Sequence, residues 1–147
     1  MTRYGPDCFC GSRTIYQDSK EYYHGTSYGM RYICERWPEC LGSVGAHPDG
    51  QPLGTVPDPE TKRLRGVCHG MVDAIWRDAN LTAKEQRQKR GSVYRWLQNI
   101  TGLSQGECHI GKFNAEQCRF LIKCIKAVPY EQRHELLPNL YTGRKIA

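Results

Sequence analysis

Eight cysteines in 147 residues are the first chemistry this sequence offers, and four of them fall into two close pairs. Cys8 and Cys10 enclose one residue, Cys34 and Cys40 enclose Glu-Arg-Trp-Pro-Glu, and a stretch long enough for a hairpin separates the pairs. A zinc ribbon builds its tetrahedral site in this way, from two turns that each present two thiolates and are joined by a hairpin. Cys34 and Cys40 form the stronger half, because Trp37-Pro38 suits a tight connection directly after a strand. Gly11, next to Cys10, supplies a residue that accepts the positive φ such knuckles often need. The single residue between Cys8 and Cys10 is the weaker feature, since most knuckles hold two. Asp7 lies three residues before Cys10, and its carboxylate is an alternative to the Cys8 sulfur as fourth ligand. Four free thiols without metal is the plain alternative. The expectation is one structural Zn²⁺ held by Cys8, Cys10, Cys34 and Cys40.

The other cysteines, Cys68, Cys108, Cys118 and Cys124, are dispersed through apolar helical patterns, where a thiol behaves as a small hydrophobe. His69, Asp73, Cys108 and His109 are the residues from which a hydrolytic or second metal site would have to be assembled. Neighbours such as Cys108 and His109 point in different directions on a short turn, and both histidines read more simply as satisfied core or cap groups. His24, His47 and His134 read as loop or surface residues. With no paired carboxylates, nucleophile elbow or phosphate loop, catalysis and a small-molecule substrate are not expected.

The elements that must position these groups are short strands followed by helices. Residues 13–18 and 28–34 are rich in β-branched and aromatic side chains and predict an antiparallel hairpin, with a third strand near 42–47. Residues 48–59 contain four prolines and two glycines and predict a linker. Asp58 and Pro59 then open a helix whose stripe is Leu64, Val67, Cys68, Met71, Val72, Ile75 and Trp76. Thr82 with Glu85 is a capping box for a second helix carrying Val93, Trp96, Leu97 and Ile100, with a bend expected at Gly91. Asn114 with Gln117 caps a third helix, carrying Cys118, Leu121, Ile122 and Ile125 to about Ala127. A turn at Ser104–Cys108 and a last piece around Glu131–Leu137 complete the series. The fold class predicted is α+β: a small antiparallel zinc ribbon over 1–47, a linker over 48–57 and a three- to four-helix bundle over 58–147.

Hydrophobic residues make up 39% and charged residues 24% of the chain, as in ordinary globular proteins, and no apolar run approaches the roughly 20 residues of a membrane helix. The opening residues show no basic segment leading into an apolar stretch, so the reducing cytoplasm is the expected compartment and disulfides are not expected. The net charge of +6 is uneven: residues 1–57 carry five Lys/Arg against six Asp/Glu, and residues 58–147 carry sixteen against nine. An acidic partner would be met mainly by the second half.

Residues 10–40, with Cys10-Gly11, a hairpin and then Tyr28-Gly29 through Cys34 to Cys40, resemble the four-cysteine zinc ribbons at the C-terminus of type IA DNA topoisomerases, which bind single-stranded DNA. Over most of the chain the closer resemblance is to small phage and prophage proteins with an uncharacterised zinc-finger-containing domain. The matching pieces, in order, are Cys10-Gly11, Tyr28-Gly29 to Cys34, Pro52-Leu53-Gly54-Thr55, His69, and Glu107-Cys108-His109-Ile110-Gly111-Lys112-Phe113. The chain departs at the first knuckle, where Asp7 occupies the position of the family's first cysteine and Cys8 is displaced by one. The resemblance implies a phage-type protein in a bacterial host and brings no established activity with it.

Nucleic acid, DNA more than RNA, is therefore the first partner expected. Lys84, Arg87, Lys89, Arg90 and Arg95 are the densest cationic cluster, preceded by Lys62, Arg63 and Arg65 on the first helix. In the ribbon Arg31, Tyr32, Arg36 and Trp37 mix cations with aromatics, as a surface that stacks bases would. A solvated helix face, with Trp37 covering the metal site, explains the same residues without a ligand. The second expectation is a protein-interaction module that binds and modulates a host enzyme acting on nucleic acid.

Overall fold

The computed structural model describes residues 1–133 and divides the chain into two compact units, Met1–Lys62 and a second from Arg63 onward. The N-terminal unit is a three-stranded antiparallel sheet of β1 (Thr14–Asp18), β2 (Met30–Cys34) and β3 (Ser43–Gly45), with β2 in the middle. Thr14 pairs with Cys34 and Tyr16 with Tyr32, and Tyr32 pairs in turn with Val44. Tyr32 and Cys34 alternate with Ile33 along β2, so they project from one face of the sheet. That face, with Cys8, Cys40, Val44 and Val56, forms the buried cluster of this unit.

The stretch 48–57, expected as a linker, is instead built into this unit. Leu53 N–H donates to Gly45 O at 2.9 Å, His47 N–H donates to Gln51 O at 2.7 Å, and Ala46 bridges Pro52. The Tyr32 hydroxyl donates to Gly50 O, and Val56 is buried. The prolines and Gly50, at φ +89°, shape a tight return rather than a free tether. A cluster this small gains more from closing Val56 over the sheet than from leaving it in water.

The second unit is helical. The first helix, α1 (Pro59–Trp76), is capped by Asp58, whose Oδ1 accepts from Thr61 N–H at 2.7 Å. Helix α2 (Ala83–Thr101) has the full Thr82/Glu85 capping box, runs through Gly91 without interruption and ends on Gly102 in the left-handed conformation. Helix α3 (Ala115–Lys126) has the full Asn114/Gln117 box. The core joins Leu64, Cys68, Val72 and Ile75 of α1 to Val93, Trp96 and Leu97 of α2 and Cys118, Leu121 and Ile125 of α3, with Ile110 and Phe113 between. Val67 leaves the predicted stripe and is exposed. Among the described residues there are three α-helices and no fourth. Single 3-10 turns stand at Ile110–Lys112 and Tyr130–Gln132, and residues 134–137 of the expected last piece, with His134, lie outside the described residues.

Candidate metal centre

The sheet register brings the two cysteine pairs together. Cys34 ends β2 and Cys40 closes the turn that follows it, with Trp37 N–H donating to Cys34 O and Cys40 N–H to Arg36 O. The Trp37-Pro38 bond within this turn is cis. Cys8 and Cys10 lie on a tight loop in which Cys8 N–H donates to Ser12 O at 2.8 Å and Gly11 N–H to Cys8 O at 2.9 Å. Gly11 takes φ +90° there, the conformation expected of it.

The four sulfurs lie within 4.8 Å of one another. Cys8 Sγ is 3.6 Å from Cys40 Sγ and Cys10 Sγ is 3.7 Å from Cys34 Sγ, far from a bonded pair. Zn–S bonds near 2.3 Å in a tetrahedron place sulfurs about 3.8 Å apart, so the spacing suits a zinc ion at the centre. The donor set fits as well. Backbone N–H groups two residues on point at three of the sulfurs, from Cys10 to Cys8, from Ser12 to Cys10 and from Arg36 to Cys34. Such bonds favour the thiolate that a metal needs. Without metal the thiols differ: burial pushes Cys8 up to about 12 and Cys34 upward, whereas the Ser12 N–H brings the surface thiol of Cys10 down to about 6. Asp7 is exposed and outside the group, so Cys8, buried against Cys40, supplies the fourth sulfur.

Sequence reasoning missed Gly42. Its Cα faces Cys8 Sγ so closely that a β-carbon would overlap the sulfur, and its carbonyl accepts from Cys34 N–H at 2.9 Å. The signal was a lone glycine two residues after Cys40.

No second constellation is assembled. Among the described residues one group of His, Cys, Asp or Glu can share a metal, and it excludes His69, Asp73, Cys108 and His109. Asp73 is engaged by Arg77 at 3.6 Å and by Trp76 Nε1 at 3.0 Å. Cys108 is buried, and His69 and His109 are exposed rather than core or cap groups; His109 makes no side-chain cap bond. Cys68 and Cys118 are core as expected, and Cys124 is half-buried.

The cationic residues separate into different situations. Arg31 is turned inward, its guanidinium donating to Ser43 Oγ at 2.9 Å and lying near the rings of Tyr22 and Tyr23. Arg36 is exposed and Trp37 half-buried. Arg65 is buried, with Nε donating to Phe113 O at 2.7 Å, and is no part of a surface cluster. On α2, Lys84, Arg87 and Arg95 are exposed at helical spacing, opposite the buried Val93, Trp96 and Leu97, while Lys89 is half-buried and falls off that stripe. Arg90 stacks over Tyr94 at 4.5 Å. A second basic face appears where α1 and α3 meet: Arg63, Arg119, Lys123 and Lys126 rim a 690 Å³ groove floored by Leu64, Val67, Ile122 and Ala127. No helix among the described residues is long and apolar enough to cross a membrane.

A family model described as a zinc-finger-containing domain matches residues 6–128. No curated protein and no solved structure matches the chain. With the domain assignment beside the geometry, the four cysteines fit one structural Zn²⁺.

Proposed function

The chain belongs to the family of the zinc-finger-containing domain, and from that premise we propose that it is a zinc-stabilised nucleic-acid-binding protein of phage type, working in the cytoplasm of a bacterial host and contacting phosphates through its helical unit. The zinc is closed off by four sulfurs, so its chemistry is to hold the ribbon's two turns together rather than to activate water. Three of the six side chains in the buried cluster are ligands, which makes the ribbon's folding depend on the ion.

The observation that carries the reading is the exposed face of α2. Lys84, Arg87 and Arg95 stand on it, and the helix's one carboxylate, Glu85, is committed to its own cap. Neither salt bridge among the described residues involves these cations. A row of guanidinium and ammonium groups without carboxylate partners favours a polyanion, whose condensed counterions are released on binding. Within the ribbon, Arg36 is exposed and Trp37 half-buried, whereas Arg31 is occupied by Ser43. The phage assignment rests on the order of motifs along the chain.

The test is fluorescence anisotropy of the zinc-loaded protein against single- and double-stranded DNA and RNA at two salt concentrations. Binding that falls by a log–log slope of about 3 or more, and a triple Lys84→Ala, Arg87→Ala, Arg95→Ala variant that loses most of that slope, supports the reading. No binding at low salt overturns it.

One observation favours a second reading, a module that docks on a host enzyme acting on nucleic acid. The α1/α3 groove joins an apolar floor to a cationic rim, which suits an acidic amphipathic segment of a protein. Such a module would bind DNA weakly and with little salt dependence.

A further inference from the structure

Alongside the second half of α2 lies a groove of 470 Å³, closed on its other side by the segment from Gln105 to His109. Its volume falls within the roughly 300–1,000 Å³ of small-molecule sites. Gly91 and Tyr94 form part of its wall on α2, flanked by Arg90 and Arg95. No Asp or Glu lines it, and neither arginine pairs with a carboxylate among the described residues.

Arg90 is held in place by aromatic rings rather than by charge: its guanidinium lies 4.5 Å from the Tyr94 centroid and 5.9 Å from that of Trp76. Arg90 thus brings a cation, and Tyr94 an aromatic ring, to one wall of the groove, the two kinds of group that recognise a phosphate and a base. Arg95 is tethered to its own helix, donating to Ser92 Oγ at 3.2 Å. Exposed His109 and Gln105 add donors from the opposite wall.

Gly91 fits the same picture. A glycine inside a helix costs about 1 kcal/mol relative to alanine, and a β-carbon here would meet nothing within 4 Å, so packing does not require it. Gly66 in α1 has the same open space but does not line this groove. Gly91 leaves the groove wall open beside Arg90 and Arg95.

We propose that this groove seats one unpaired nucleotide, with its phosphate taken by Arg90 and Arg95 and its base lying on the Arg90–Tyr94 stack. The inference rests on the nucleic-acid reading for its ligand class and adds that the helical unit prefers single strands. The two sources of such a unit, a free nucleotide and a strand, share this chemistry and are separated below.

The experiment compares full-length zinc-loaded protein with Gly91→Gln, a change that favours the helix and fills the groove. Anisotropy is measured for a single-stranded oligonucleotide and for the duplex of the same length, and a deoxyribonucleoside 5′-monophosphate is titrated while amide shifts are followed by NMR. The expected result is a single-strand preference of about tenfold that Gly91→Gln abolishes. Shifts at Gly91, Arg95 and His109 with the mononucleotide, absent in the variant, support the seat even where neither strand binds, and identify the free nucleotide as its source. If Gly91→Gln binds single strand and duplex as wild type does, the inference is overturned while the broader reading stands. If wild type binds neither strands nor the mononucleotide, both fall.

Discussion

Gly42 presents its bare Cα to the Sγ of Cys8, leaving no room for a β-carbon between them. Phe9 and Val56 close in on the same point, so the sulfur has little space to retreat. Gly42→Ala should therefore push Cys8 off the zinc tetrahedron and destabilise the ribbon by about 1–3 kcal/mol, the range for overpacked sites. Zinc release to a competing chelator measures this directly. A variant that holds zinc as tightly as wild type would show that the Cys8 loop absorbs the extra methyl.

Cys34 separates metal ligation from ordinary burial, because it is both 1% exposed and one of the four clustered sulfurs. Cys34→Ser should lower bound zinc below one equivalent by elemental mass spectrometry, whereas Cys124→Ser should leave it at one. Chelating the ion from the wild-type protein should accelerate amide exchange at Ile33 and Val44, while Leu97 and Leu121 keep their protection. Equal loss in both units would refute independent metal dependence of the ribbon.

The metal site and the helix ends were legible in the sequence because each is set by residues near in the chain. Two cysteine pairs, the Asp58 cap and the boxes Thr82/Glu85 and Asn114/Gln117 depend only on local spacing and backbone donors. What could not be read depends on what the chain meets after folding. Pro and Gly in 48–57 signal a break in regular structure, and the same residues serve a linker or a return that seals a small core. Arg65 is indistinguishable from Arg63 by composition; its burial and the Phe113 carbonyl facing it mark it as structural. Arg119, Lys123 and Lys126 sit far in sequence from Arg63, and the pairing of α1 with α3 unites them. His109 illustrates the reverse: a residue read as a core or cap group is left exposed, lining a groove.

Gly66 lies on the exposed side of α1, and a β-carbon there would meet nothing within 4 Å. Gly66→Ala should stabilise the helical unit by about 0.5–1 kcal/mol, chiefly by restricting the unfolded chain. Thermal melting followed by far-UV circular dichroism should show a rise of about 2–5 °C. A fall would mean that the exposed face of α1 is covered by something that a methyl group disturbs.

The buried thiols of the helical core make its stability depend on alkaline pH. Cys68 is fully buried and donates to the Cys118 carbonyl at 3.5 Å, and burial raises its pKa from 9.0 to about 12. Burial raises Cys108 and Cys118 in the same direction. A folded-state pKa above the unfolded value means that the native core keeps a proton the unfolded chain releases. The stabilisation is thus complete below pH 9 and is lost as pH rises toward 12. Within that window the Cys68 thiol steepens the loss of stability with pH, and Cys108 and Cys118 act in the same direction. Urea unfolding of the helical unit at pH about 8 and about 10.5 should show the decline. Cys68→Ala, although less stable at neutral pH for its lost packing, should show a shallower decline than wild type. Parallel pH profiles for the two proteins would mean that Cys68 reaches water before the core opens.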